Sequence, residues 1–313
     1  MVRWVRRPRI VAWTSVALLM SALLAWPVSS AYAESKPITD WSFYVETTSN
    51  TAMYDLGCNQ GSFDASHGTS SLVFLDFGGQ NSSGTGSLEI DGTSVSNAQI
   101  ESMAANFANG YYTCTGSDTT TVLTEAVGTN NSYYDVSTGG GQTWAGVINA
   151  VKSDASAYAS QVTVWAGNDI EPSFNSWANT SAWISGYSGV EPAPYLDYGS
   201  ADGCSSTSHA NGSCSNGWTT SDVYYAAWGA TPAEASPEIY YAVNAEQWTQ
   251  ISLYGYYSGP QGVINFEGPL DENDLNGSTL TSSAAWTYLN GDLSQYSVLN
   301  SNMPRSLEVH DGT

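Results

Sequence analysis

From about residue 70 the chain alternates short β-branched or aromatic runs with longer stretches whose apolar residues recur at helical spacing. That rhythm predicts parallel strands joined by crossover helices. The strand-like runs are Leu72–Phe77, Thr121–Gly128, Val162–Gly167, Pro194–Tyr198, Val223–Trp228, Glu238–Ala242 and Gly262–Phe266, with Trp41–Glu46 as an eighth. Between them the helical pattern covers Asn97–Asn109, Gln142–Ala159, Ser176–Ser185, Ala245–Tyr254 and Ser282–Tyr296. In the first of these, Ile100, Met103, Ala104 and Phe107 share one face. Units of roughly 30 to 45 residues suit a βα repeat. The expected class is therefore α/β, a (β/α)8 TIM-like barrel forming a single domain over residues 34–313. A doubly wound open sheet is the alternative, but Gly78-Gly79-Gln80 is not the glycine-rich phosphate turn that such sheets carry.

The beginning of the chain has a different pattern. Arg3, Arg6, Arg7 and Arg9 precede an apolar stretch from Ile10 to Trp26, and Ala31-Tyr32-Ala33 offers the small residues of a cleavage site. Residues 1–33 thus read as a bacterial-type signal peptide, and the mature protein as secreted and extracellular, with no membrane association after cleavage. No later stretch approaches the 18 or so apolar residues of a spanning helix.

Cleavage changes the charge. Of seven basic residues only Lys36, Lys152 and Arg305 remain, against 29 acids, so the net charge moves from −22 to −26. Nucleic acid and other polyanions are excluded as partners, because binding phosphate requires cations. A neutral or cationic ligand is implied, and a monomer is expected.

Four cysteines remain, an even number in an oxidising compartment, which favours disulfides. Three pairings are formally possible. Cys204–Cys214 is the local pair, closing a loop rich in Ser, Thr, Asn and Gly, and it leaves Cys58–Cys114. No C-x-x-C motif or His pair accompanies them, so no zinc site is expected. The acidic run Asp271-Glu272-Asn273-Asp274 does not match an EF-hand loop, having Leu275 where a ligand is required. No metal or cofactor is therefore expected.

Several strand-like runs end in an acid: Asp76, Glu125, Asp169 with Glu171, Asp197 and Glu267. In a barrel such ends converge on one mouth. Asp169 and Glu171, two residues apart, project to the same side if the strand continues, about 7 Å apart along the backbone. Neighbouring carboxyls split their pKa values, one staying protonated while the other ionises. Glycosidic cleavage needs that combination. His67, His209 and His310 are isolated and no G-x-S-x-G elbow occurs, which disfavours a serine or cysteine hydrolase. Trp165 and Trp228, at or near strand ends, are candidates to stack on a sugar ring, and Asp202 is a candidate to hold sugar hydroxyls.

Asn168-Asp169-Ile170-Glu171 after an apolar strand resembles the D-x-E strand end of family 25 muramidases and related secreted glycoside-hydrolase-like barrels. Asp76-Phe77-Gly78-Gly79-Gln80 is similar to their first-strand Asp and nearby Gln. The resemblance implies Glu171 as general acid, Asp169 as its partner and Asp76 as a substrate-positioning acid. Asn265-Phe266-Glu267 departs from the Asp near an Asn that closes the last strand of a muramidase. The expected function is a secreted glycoside hydrolase-like protein acting on a neutral or amino-sugar glycan, with Glu125, Asp197, Asp202, Trp165, Trp228 and Glu267 binding substrate. The alternative is a non-catalytic extracellular protein that binds carbohydrate or a surface on the same scaffold.

Overall fold

The structure is a computed structural model. It describes residues 39–81, 86–88, 94–132, 135–190, 193–273 and 278–310. The expected signal peptide, residues 1–33, lies outside them, as does Asp274, the last residue of the acidic run.

Eight parallel strands form one curled sheet: β1 (Thr39–Tyr44), β2 (Ser71–Asp76), β5 (Leu123–Asn130), β6 (Val162–Asp169), β7 (Tyr195–Asp197), β8 (Ala233–Ala235), β9 (Leu270–Asp271) and β10 (Ser306–His310). A small antiparallel pair, β3 (Gly86–Leu88) and β4 (Ser94–Ser96), is inserted after β2. The sheet order is β8-β7-β6-β5-β2-β1-β10-β9. Isolated parallel bridges pair Ala235, at the end of β8, with Phe266 and Glu238 with Leu270 of β9.

Helices α1 (Asn50–His67), α2 (Asn97–Cys114), α3 (Thr138–Asp154), α4 (Trp177–Ser188), α5 (Thr220–Tyr224), α6 (Ala242–Ser258) and α7 (Ser282–Ser294) occupy the crossovers. Most begin at a hydroxyl cap. Ser49, Ser96, Ser137, Ser176 and Thr281 each accept from a backbone N–H of the first turn, and Ser96 forms a reciprocal capping box with Gln99.

Two apolar layers follow from the alternation of side chains along each strand. Leu72, Phe74, Ala126, Leu196, Leu270, Leu307 and Val309 fill the concave side. Val73, Leu75, Leu123, Val127, Val164, Ala166 and Tyr195 face outward into the helix layer. β2 is buried along its whole length, as expected of a parallel strand covered on both faces.

The second half of the sheet departs from the sequence reading. Val223–Trp228 is helical, α5 continuing into a wide turn at Tyr225–Gly229. Asp222 bonds back to the Thr219 N–H at 2.9 Å, a cap that outweighs the β propensity of Val and Tyr. The strand is instead the short Ala233–Ala235, and Glu238–Ala242 follows its end. Gly262–Phe266 leads into β9, which begins only after Gly268 and Pro269. β10 and α1 were not expected.

Both cysteine pairs are disulfides, Cys58–Cys114 joining α1 to the end of α2 and Cys204–Cys214 closing the local loop. Among the described residues no helix is long and apolar enough to cross a membrane.

Candidate functional site

The carboxyl ends of β2 and β6 and the segment after β8 bring together Asp76, Asp169, Glu171 and Glu238. Asp76 shares the strand parity of Leu72 and Phe74, and Asp169 that of Trp165, so both point to the concave side. Asp169, Glu171 and Glu238 each place a carboxylate oxygen within 4.8 Å of the others. Asp202, two residues before Cys204, adds its field to Glu171 and Glu238.

Each member is held by its own element. Asp76 accepts from the Gly78 N–H at 2.7 Å. The side chain of Asn131, just past β5, grips the backbone of Glu171 on both sides, accepting from its N–H at 3.1 Å and donating to its carbonyl at 3.1 Å. The Ser173 hydroxyl donates to the Glu171 carboxylate at 3.0 Å. Glu238 donates its backbone N–H to the Gly199 carbonyl at 3.1 Å, and its carboxyl accepts from the Tyr240 hydroxyl at 2.6 Å.

Burial sets the protonation. The Asp76 carboxyl is pushed up to about 6, chiefly by desolvation. Asp169 is raised well above the usual carboxylate range by burial first, then by the charges of Glu238, Glu171, Asp76 and Asp197. Glu238 is raised well above its ordinary value by burial and the neighbouring Glu171, to which it donates a hydrogen bond. Glu171 is also raised, by burial and then Asp202, but the bonds from Ser173 and Glu238 oppose the shift. Its side chain is the more exposed of the pair. Burial thus opposes ionisation of both carboxyls, and Glu171 is the one of the pair that solvent can reach. A hard cation could use the same oxygens, although three donors fall short of the six to eight that calcium takes.

The remaining expected site residues are dispersed. Glu125 lies between Leu123 and Val127 on the helix-facing side of β5, fully buried, with neither carboxylate oxygen bonded. It is away from the mouth because strand parity turns it outward. Asp197 shares the outward parity of Tyr195 and accepts from the backbone N–H groups of Gly199 and Ile170, while burial raises its carboxyl to about 8. It braces the turn before Glu171. Glu267 sits at the opposite end of the sheet, 3.9 Å from Arg305, which also lies 3.4 Å from Asp40 near the start of β1. The register of β9 explains this, its carboxyl end being Asp271 rather than Glu267.

Trp165 lies mid-strand, four residues before Asp169, beside a cavity of about 390 Å³ that Val162, Thr163 and Pro194 also line. Trp228 belongs to the wide turn before β8 and donates its indole N–H to the Gln261 carbonyl at 3.4 Å. Neither tryptophan reaches the carboxyl-end cluster. Gln80, part of the muramidase-like motif, is buried, its amide spanning the Trp183 indole at 2.7 Å and the Gly140 carbonyl at 3.1 Å.

Glu238 and Asn131 are the functional candidates that the sequence reading did not single out. Glu238 opens a run, Glu238–Ala242, that the residue pattern reads as a strand. The signal available was Pro237 before it, which interrupts a strand, and Tyr240 after it.

Fold and cluster define a class: an α/β protein with a curled parallel sheet and a buried carboxyl cluster at the carboxyl ends of its strands. No family model matches the chain, and no curated protein matches it. Among solved structures, a protein described as a mandelate racemase/muconate lactonizing enzyme from Labrenzia alexandrii DFL-11 aligns with a TM-score of 0.35 and 11% identity. The alignment covers 73% of this chain and 53% of that one, so the chain spans about half the length of that protein.

Proposed function

We propose that the protein is a secreted glycoside hydrolase built on a closed (β/α)8 barrel, acting on a neutral or amino-sugar glycan. The observation that carries this reading is the Glu238–Glu171 pair, a buried carboxyl and a half-buried one with oxygens within 4.8 Å of each other at the mouth. The closed barrel is supported by neighbouring strands that follow chain order around the sheet and by the bridges joining β8 to the last unit. Secretion is supported by the residue pattern of positions 1–33 and by the two disulfides.

In this mechanism Glu238 donates its proton to the glycosidic oxygen, breaking the bond to the anomeric carbon. Glu171 attacks that carbon, forming a glycosyl ester. Water then hydrolyses the ester, Glu238 taking a proton from the water as Glu171 leaves. Oxygens within 4.8 Å of one another support this double displacement, because inversion needs a wider gap, roughly 6.5–9.5 Å between carboxyls, for water. Asp202 adds to the field of Glu171 that favours the protonated form of Glu238, and Asn131 fixes the Glu171 backbone. The general acid is thus reassigned from Glu171 to Glu238.

Release of reducing ends from soluble chitosan or a neutral β-glucan by the wild-type protein tests the reading. Glu171→Gln and Glu238→Gln are each expected to lower kcat by at least about 100-fold with the fold retained. Full activity in either variant would overturn the assignment. The near-complete burial of Asp76, Asp169 and Glu238 favours a second reading, a glycan binder that does not cleave. That reading expects retention on immobilised polysaccharide with no reducing ends released.

A further inference from the structure

A cavity of about 310 Å³ lies in the helix layer, apart from the mouth, with walls from α6, α7 and the loop closed by Cys204–Cys214. Its volume is at the small end of the range for ligand pockets, roughly 300–1,000 Å³, which suits a single sugar ring rather than a chain. Glu246 on α6 and Asp292 on α7 are close enough for the charge of Glu246 to act on Asp292. No lysine, arginine or histidine is among the lining residues. Two carboxylates sharing a cavity without a counter-charge favour a cation.

The floor of the cavity is polar and incompletely bonded. Thr249 is 1% exposed and its hydroxyl has no hydrogen-bond partner among the described residues, although the residue lines the cavity. A buried hydroxyl left unbonded costs free energy that a ligand hydroxyl or ammonium can recover. Gln250, also buried, adds an amide beside it. Ser206 and Thr207 bring further hydroxyls from the loop, whose disulfide limits its freedom before any ligand arrives. Tyr296, at 37% exposed, supplies an aromatic ring at the rim.

We propose that this cavity binds an amino sugar with a free ammonium, such as a glucosamine unit. Glu246 and Asp292 would hold the ammonium, Thr249, Gln250 and Thr207 the ring hydroxyls, and Tyr296 the apolar face of the pyranose. The proposal goes beyond the catalytic reading and does not depend on it, because no residue is shared with the mouth.

Calorimetric titration of the whole protein with glucosamine, N-acetylglucosamine, glucose and putrescine tests it. Glucosamine is expected to saturate a single site at least tenfold more tightly than the other three. Asp292→Asn and Glu246→Gln should each weaken it by tenfold or more, and Thr249→Val by several-fold. Glu246 is exposed and makes no structural hydrogen bond among the described residues, so its variant remains informative if Asp292→Asn unfolds. At the mouth, Glu171→Gln should leave the constant within twofold. Loss of binding in Glu171→Gln would place the ligand at the mouth and overturn the proposal. So would absence of saturation, equal affinity for putrescine, or unchanged affinity in Glu246→Gln.

Discussion

At the scale of single residues, the same side-chain type takes opposite roles according to which way its strand turns it. Asp76 and Asp169 face the concave side and join Glu171 at the mouth, whereas Glu125 faces the helices with no partner for either oxygen. Burial alone raises Glu125 well above the ordinary glutamate range, so it is carried as a neutral acid whose hydrogen-bonding capacity is wasted. Glu125→Met, similar in volume and free of polar oxygen, is expected to stabilise the fold by about 1–3 kcal/mol, as read from urea unfolding. A fall in stability would show that the carboxyl has a partner or role in solution. The acids were legible as residue types at strand ends. Their direction was not, because one residue of uncertainty in a strand boundary reverses the face.

At the scale of elements, helix contacts made through backbone escape an apolar periodicity search. α1 crosses α2 so closely that a Cβ on Gly57 would overlap the Phe107 carbonyl oxygen, and one on Gly110 the Tyr54 carbonyl oxygen. The inner face of α1 also carries Gln60 and Asp64, with Asp64 accepting from the Tyr111 hydroxyl at 2.8 Å. Glycine and buried polar groups replace the expected apolar stripe, which is why this 18-residue helix was overlooked. Gly57→Ala is expected to cost about 1–3 kcal/mol, since the overlapping atom is backbone and cannot rotate away. A thermal unfolding midpoint equal to that of the wild type would contradict the close crossing. α2, with Ile100, Met103, Ala104 and Phe107 all buried, was legible for the complementary reason. β8 is only three residues long, too short for alternation to register.

At the scale of the whole molecule, raised carboxyl pKa values make the fold an acid-favouring one. Burial raises Asp40 and Asp271 to about 6, Glu234 to about 7 and Asp197 to about 8. These groups bind protons in the folded state that the unfolded chain has already released. Their contribution is fully present below about pH 4 and is lost as pH rises through about 6 to 8. The thermal midpoint is expected to be several degrees higher at pH 5 than at pH 8. Scanning calorimetry that finds it unchanged or higher at pH 8 would remove these acids from the buried, raised set. The βα rhythm that makes the architecture legible is itself a whole-chain property, which is why the class could be read even where three strand positions could not.

The placement of β10 has a consequence for how the chain reaches this state. Thr39, at the start of β1, is paired with Ser306, at the start of β10, and β10 in turn pairs with β9. A polypeptide lacking residues 306–310 would leave β1 and β9 each without the neighbour that β10 provides. β1 is therefore paired on both sides only once β10 has arrived. Contacts spanning this much sequence are slow to form, so β1 is expected to stay open on its β10 side after its pairing with β2 has formed.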